Sequence, residues 1–547
     1  MVHAISKELK LQMKRVEHVN DKTFGVRLTA LANWVVRIVG AGIFFILTWY
    51  AFRYTQYMNP SGSETPVNVQ DSMTKNIVFL ILAMAVIVGF YVSEKYLNEK
   101  IQQWLMRISL ILVSVWVGCF GLWWITAVDR LPVGDQAFVY GGASYFIEGE
   151  YSFLEATGYC GIYPHQLGLI FLTEILFCFV GTYNYFAFQL ICVELAVGIV
   201  ILGHVLVREM TGHMSVAVTY CLLMAFCLPL VFYTGWVYGE IPSIFFALLT
   251  AICLLRYEKT GKNVWLAGMV LAVLMALLVR KNSLIMLVAL CLVAGVYVLK
   301  NKDKKLLAAL LVSVILPIIV YQGIYKMYEV RSGIPHQDGL PTVTFIAMGL
   351  QENEGKCGWY NNYGKEIYYQ QECDTELTTA VAKQDIQSRL KEWKENPSYA
   401  VTFFREKILS QWNEPLYQSM FFSTQYMEGK EPEQESFVHK LGTEYFLKVL
   451  AVCDRMQFIL YFGMLCYYIF AVKKNSNILQ HMLAVTMIGG FFFSILWEAK
   501  ARYIFPYYVM MYPLAAVGYW QAIAQAKVLL NRNRKREDNI IPFERVA

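Results

Sequence analysis

The feature that most constrains this chain is a series of long apolar runs, each about long enough to cross the roughly 30 Å hydrocarbon core of a bilayer. In lipid the backbone must satisfy its own polar groups, and runs of this length do so as helices. They fall at about 33–52, 76–93, 104–127, 186–207, 214–234, 240–256, 263–280, 283–300, 305–328, 451–472, 478–498 and 502–524. The expected fold is therefore an all-α polytopic membrane protein with about twelve transmembrane helices. Composition agrees. The 547 residues are 57% hydrophobic and 16% charged, where a soluble chain carries about a quarter charged residues. The polar, basic opening residues do not read as a signal peptide. With no glycine-rich phosphate loop and no nucleic-acid motif, nucleic acid is not an expected partner.

Placement of positive charge orients these spans. Lys7, Lys10, Lys14, Arg15, Lys22 and Arg27 precede the first run, and Lys95, Lys100 and Arg107 lie between the second and third. Further basic links stand at 256–262, 300–305, 473–474 and 532–536. Putting all of them inside leaves both termini cytoplasmic and the segments 128–166 and 329–450 extracytoplasmic, in a cell (plasma) membrane protein. One apolar run, 165–181, breaks the alternation. If it crossed, Arg208 and Glu240 would fall on the wrong faces, so it is expected to be a re-entrant or juxtamembrane helix. A thirteenth span with flipped parity is the alternative.

The twelve cysteines form no metal-type spacing, and most lie in apolar runs as small hydrophobes. Cys357 and Cys373 share the outer loop, as a disulfide or as two free thiols. Within that loop, 375–395 reads as a solvated charged helix. Trp412 and Phe421–Phe422 read as an interfacial segment returning to the membrane.

The third run ends in VDRLPVGDQAFVYGGASYFIEGEYSFLEATGYCGIYPHQ, residues 128–166. Ionisable groups at a membrane boundary are costly enough to suggest function. Asp135 reads either as a carboxylate able to take a proton from an approaching acceptor or as a helix N-cap. Asp129, next to Arg130, reads as half of a surface pair. Tyr163, His165 and Gln166, directly before an apolar run, suit a phosphate or sugar, or else mark an aromatic belt and a proline helix start. Glu240, in YTGWVYGEIPS beside Trp236 and Tyr238, reads as part of a sugar site or as a solvated helix end. Arg280 and Lys281 sit at the outer end of a span, against the usual placement of positive charge. Lipid phosphate is their natural partner, and plain snorkelling the alternative. Glu498, Lys500 and Arg502 crowd WEAKARYIFP near the last two spans.

Taken together, GDQAFVY, FIEGEYSF, the Tyr-Pro turn, YTGWVYGEIPS, RKNS at 280–283 and EAKARYIFP resemble the GT-C superfamily of membrane glycosyltransferases. The resemblance is nearest to the bacterial branch with the protein O-mannosyltransferases and lipid A aminoarabinose transferases, and it covers the chain from about 104 onward. It implies a GT-C-like fold with a mixed extracytoplasmic loop region and an outward-facing site. It implies transfer of a sugar, with inversion, from a polyprenyl-phosphate carrier in the membrane to a glycan, lipid or protein acceptor. The catalytic acidic positions would fall on Asp135, as base, and Glu240. Substrate contacts would fall on Tyr163, His165, Gln166, Arg280, Lys281, Glu498 and Arg502. The first-loop acidic pair of many members is Asp135-Gln136 here, which weakens a metal site; a divalent ion stays open, and no other cofactor is implied. The implied parts are a cytoplasmic N-terminus with two additional helices (1–103), a transmembrane core holding the first catalytic outer loop (104–328), the extracytoplasmic region (329–450), the C-terminal spans (451–524) and a basic cytoplasmic tail (525–547). The competing readings are a lipid-linked glycan transporter or flippase, and a polysaccharide polymerase or ligase. Arg37, Glu174, Glu194 and His204 within apolar runs would serve transport, but most charge gathers at the outer surface, and there is no internal repeat.

Overall fold

The computed structural model describes residues 2–58, 64–128, 130–424 and 437–538, with side chains described only between 24 and 531. Asp129 and the end of the basic tail lie outside the described residues. The chain begins with α1 (Val2–Arg53) and a hairpin of β1 (Tyr54–Met58) and β2 (Pro66–Gln70), antiparallel with Tyr54 opposite Gln70. There follow α2 (Met73–Ser93), α3 (Glu99–Val128), α4 (Asp135–Glu148), the short α5 (Tyr159–Ile162) and α6 (Leu167–Val180). Next come α7 (Tyr185–Thr211), α8 (Met214–Ala225), α9 (Leu228–Phe232), α10 (Glu240–Thr260), α11 (Asn263–Val279), α12 (Leu284–Asn301) and α13 (Lys304–Ser332). The region 333–445 holds α14 (Thr342–Gly349), a small hairpin of β3 (Glu352–Asn353) and β4 (Lys356–Cys357), α15 (Tyr363–Gln370), α16 (Thr375–Glu395), α17 (Pro397–Trp412), α18 (Ser419–Thr424) and α19 (Phe437–Gly442). Finally α20 (Phe446–Cys466), α21 (Met482–Leu496) and α22 (Phe505–Asp538) close the bundle.

Among the described residues nine helices are long and apolar enough to cross a membrane, or eleven if each of two bent pairs is one span. The chain is thus a multi-pass, all-α membrane protein. Burial ranks the helices from centre to rim. In α10, 78% of the most apolar window is buried, and it packs on α7 and α11; in α2 only 11% is, leaving an apolar surface for lipid. The run at 165–181 follows a sharp break: the segments Ser152–Ile162 and Pro164–Val180 meet at 101°. At 14 residues, α6 is about 21 Å long, short of the roughly 30 Å core. It lies against α4, and beyond its end the Tyr183 N–H donates to Ser144 Oγ (2.9 Å) and Tyr183 Oη to Glu148 (3.1 Å).

Cys357 and Cys373, for which the sequence leaves a disulfide and two thiols both open, are free thiols. Trp412 and Phe421 are buried within the protein, Trp412 donating its indole N–H to Ser494 (2.9 Å). Of the two N-terminal helices, α1 packs on α12 and α20. The α16 helix, by contrast, is a largely solvated charged helix, with only Thr378, Ala382 and Trp393 buried.

Candidate functional site

A cavity of about 460 Å³ opens where the segment 133–166, the 233–240 turn, the 279–282 turn, the region 333–445 and the 497–503 segment converge. Each wall has a local cause. Gly134, at φ 60°, makes the turn into α4 that few other residues tolerate. Asp135 is then the first residue of the helix, and its side chain caps nothing. Instead its carboxylate accepts from Arg502 Nη2 at 2.5 Å. Gly239 lets two turns abut: a Cβ there would come within 2.0 Å of the Val279 carbonyl oxygen. That approach brings Glu240 under Arg280. The 497–503 segment is pinned by the region 333–445, the Ala499 N–H donating to the Gly358 carbonyl (2.6 Å). Behind it the buried Lys407 ammonium donates to the carbonyls of Gly349 and Trp497 (2.7 Å to the latter). Burial with no carboxylate in contact pushes its pKa down to about 7.

Asp135, Tyr163, His165, Gln166, Arg280, Lys281, Glu498 and Arg502 all line this one cavity. Gln166 donates to Tyr238 Oη (2.5 Å) and lies 3.3 Å from the His165 ring nitrogen. Glu240 is the exception. It is 1% exposed, forms an ion pair with Arg280, and reaches the cavity only through that partner. The Arg502 guanidinium lies near the rings of Trp236, Tyr238, Phe422 and Tyr503, at 5.3–5.8 Å, a cation held over aromatic faces. Sequence reasoning missed Glu64, Phe345, Tyr360, Lys365 and Gln418. Glu64 pairs with Lys500 (2.5 Å), and Gln418 bridges the two ends of the chain, donating to Glu64 (2.5 Å) and accepting from the Arg502 N–H (3.1 Å). Phe345 stacks on Trp497 at 4.9 Å, and Lys365 stands over the Tyr163 ring at 5.5 Å. Only the polar turn around Glu64 and the aromatic run WYNNYG hinted at any of these.

Charge sets what the cavity accepts. Five cations, Arg280, Lys281, Lys365, Lys500 and Arg502, face three carboxylates, Glu64, Asp135 and Glu498. Among the described residues Lys281 and Lys365 have no ion-pair partner, which leaves them for an anion. The carboxylates are driven apart in acidity. Burial alone would raise the Asp135 pKa, but Arg502, by charge and hydrogen bond, with Lys500 and Lys365 beyond, holds it below the ordinary carboxylate range. Burial dominates at Glu498 and raises its pKa, although Tyr503 donates to it (2.5 Å). Among the described residues no group of three or more His, Cys, Asp or Glu gathers for a metal.

A family model described as a conserved hypothetical integral membrane protein matches residues 28–523, most of the chain. No curated protein and no solved structure matches it. The chain belongs to that integral membrane protein family.

Proposed function

We propose that this member of a conserved integral membrane protein family is a GT-C-like glycosyltransferase, moving a sugar from a polyprenyl-phosphate carrier to an extracytoplasmic acceptor. The observation that supports it most is the convergence of eight expected site residues, from separate stretches of the chain, on one cation-rich cavity. In this reading the crossings are the nine long helices, the bent pair Met214–Ala225 and Leu228–Gly235, the 17-residue α11 and the apolar first half of α22. Both termini are then cytoplasmic, and the cavity faces outward, with α6 re-entrant beneath it.

The carrier phosphate binds between Lys281, Lys365 and Arg280, beside His165. Glu240 acts as a positioning residue, fixing the Arg280 guanidinium from below. An acceptor hydroxyl gives its proton to Asp135 as its oxygen bonds to the anomeric carbon from the face opposite the phosphate. The bond from that carbon to the phosphate oxygen breaks with its electron pair, and the cations stabilise the departing charge. Asp135 held by Arg502 is ionised at neutral pH but weakly basic. An incoming phosphate that draws Arg502 toward itself loosens the pair and makes Asp135 a stronger base only when donor is present. Glu498, with Tyr503 donating to it, offers carboxylate and phenol oxygens as acceptors for hydroxyls of the sugar.

The test is transfer from a defined polyprenyl-phospho-sugar by purified protein in nanodiscs. Asp135→Asn is expected to lose at least a hundredfold in turnover while binding carrier phosphate nearly as well as wild type. Full turnover in that variant would remove Asp135 as the base. Vectorial movement of the carrier without transfer would favour the flippase.

A further inference from the structure

Beside the first cavity lies a second, of about 270 Å³, between the end of α3, the start of α7, the 232–236 turn and α18. At about 30 Å³ per water of bulk liquid it has room for about nine waters. The two cavities share Val133, Trp236 and Phe422 as a common wall, with the two rings packed 4.4 Å apart. Consecutive residues on the first turn of α4 face different sides of it, Asp135 lining the first cavity and Gln136 the second.

Their chemistry differs. Where the first is rich in cations, the only charged side chain lining the second among the described residues is Arg130, which has a partner of its own. The rest is amide, hydroxyl, aromatic and aliphatic, the last from Val128, Leu131, Pro132 and Val133. Gln136 is fixed by accepting from the Val237 N–H (2.7 Å), and Gln189 by donating to the Gly235 carbonyl (2.8 Å). That leaves two buried polar atoms without partners, Gln189 Oε1 and Trp236 Nε1, on residues 4% and 6% exposed. One accepts and the other donates. Buried polar atoms are rarely left so unless something completes them, and a hydroxyl group, donor and acceptor at once, completes both kinds. The rings of Tyr185 and Trp236 also line the cavity, and an aromatic surface suits the C–H face of a sugar ring.

We infer that this second cavity is a binding site for an uncharged, hydroxyl-rich acceptor about one sugar ring in size, delivered through the Trp236–Phe422 wall to Asp135. Its place in the reaction rests on the transfer reading above, but its ligand class does not. The test uses full-length protein in nanodiscs and methyl glycosides of glucose, galactose, mannose and N-acetylglucosamine, with saturation-transfer NMR for binding and polyprenyl phosphate binding measured separately. At least one neutral glycoside is expected to bind wild type. Ser423→Trp, which fills the cavity from its partly buried rim, and Gln189→Leu are each expected to weaken it tenfold or more, with polyprenyl phosphate affinity within twofold of wild type. No binding by any glycoside, or equal binding in wild type and both variants, would overturn the site. If glycosides bind in this cavity-dependent way while polyprenyl phosphate does not bind at all, the sugar site stands and the donor reading fails.

Discussion

At Glu240 and Arg280 the chain buries a carboxylate and a guanidinium together, with side chains 1% and 8% exposed. Taking one partner away strands the other charge in a low-dielectric interior, a loss of about 3–5 kcal/mol, whereas removing both can cost far less. Glu240→Gln and Arg280→Met should therefore each lower the thermal unfolding midpoint sharply, and the double variant should fall well short of the sum. Additive losses would mean that the two side chains do not act as a pair. Such pairs also explain what the sequence could tell about the site. Arg280, Lys281, Asp135 and Arg502 stood out because charge beside a long apolar run is costly wherever it lands. Which of these residues pair with which did not stand out. Asp135 and Arg502 are 367 residues apart in sequence, and Glu64 and Lys500 are 436 apart. No local pattern encodes a contact at that range. Glu240 shows the same limit from the other side: its neighbours suggested a sugar site, but only packing shows that it sits beneath Arg280.

Among the elements, long apolar helices were legible because lipid demands both their length and their hydrophobicity. Short elements that owe their form to tertiary contacts were not. The β1–β2 hairpin has strands of five residues each, and its edge is tied to the 413 turn by Gln56 N–H donating to the Asn413 carbonyl (3.1 Å). The α6 helix is the instructive middle case. Its hydrophobicity alone argues for a span and charge parity argues against one, while the 101° break before it and the return of Tyr183 to α4 fit either a broken span or a re-entrant loop. Burial of Glu174 within α6, held by Tyr328 (2.5 Å) and Arg331 (2.7 Å), gives the helix a protein face to pack on. If α6 is re-entrant, its two flanks open on the same side. Cysteines placed one at a time at Glu155 and Asn184, in a background lacking the exposed Cys119 and Cys178 and the half-buried Cys291 and Cys373, should both react with a membrane-impermeant maleimide added outside. Labelling of one from outside and the other only from inside would make α6 a full crossing.

For the molecule as a whole, the consequence of the fold is that its two ends build one site. Phe44, Leu47 and Ala51 of α1 are buried, Phe44 with its ring centroid 5.4 Å from that of Tyr468 and 5.9 Å from that of Tyr461. Thr55 donates to Asp454 on α20 (2.9 Å). From this anchored start the hairpin hands Glu64 to Lys500, and Gln418 locks that pair to Arg502. Removing everything before Met73 would open apolar holes worth about 2–5 kcal/mol per large side chain, so that truncation should fail to fold and says little about the site. Glu64→Gln is the informative change, because it removes one negative charge from the cavity wall and frees Lys500 while the amide keeps the shape. At a separation of several Å and an effective dielectric between that of protein and water, one charge is worth about 1 kcal/mol, or about fivefold in affinity. Polyprenyl phosphate should therefore bind about fivefold more tightly to Glu64→Gln than to wild type at low salt. The gain should shrink as ionic strength rises toward 0.15 M and the Debye length falls to about 8 Å. An unchanged affinity at low salt would separate the N-terminal hairpin from the site, and Lys500 with it.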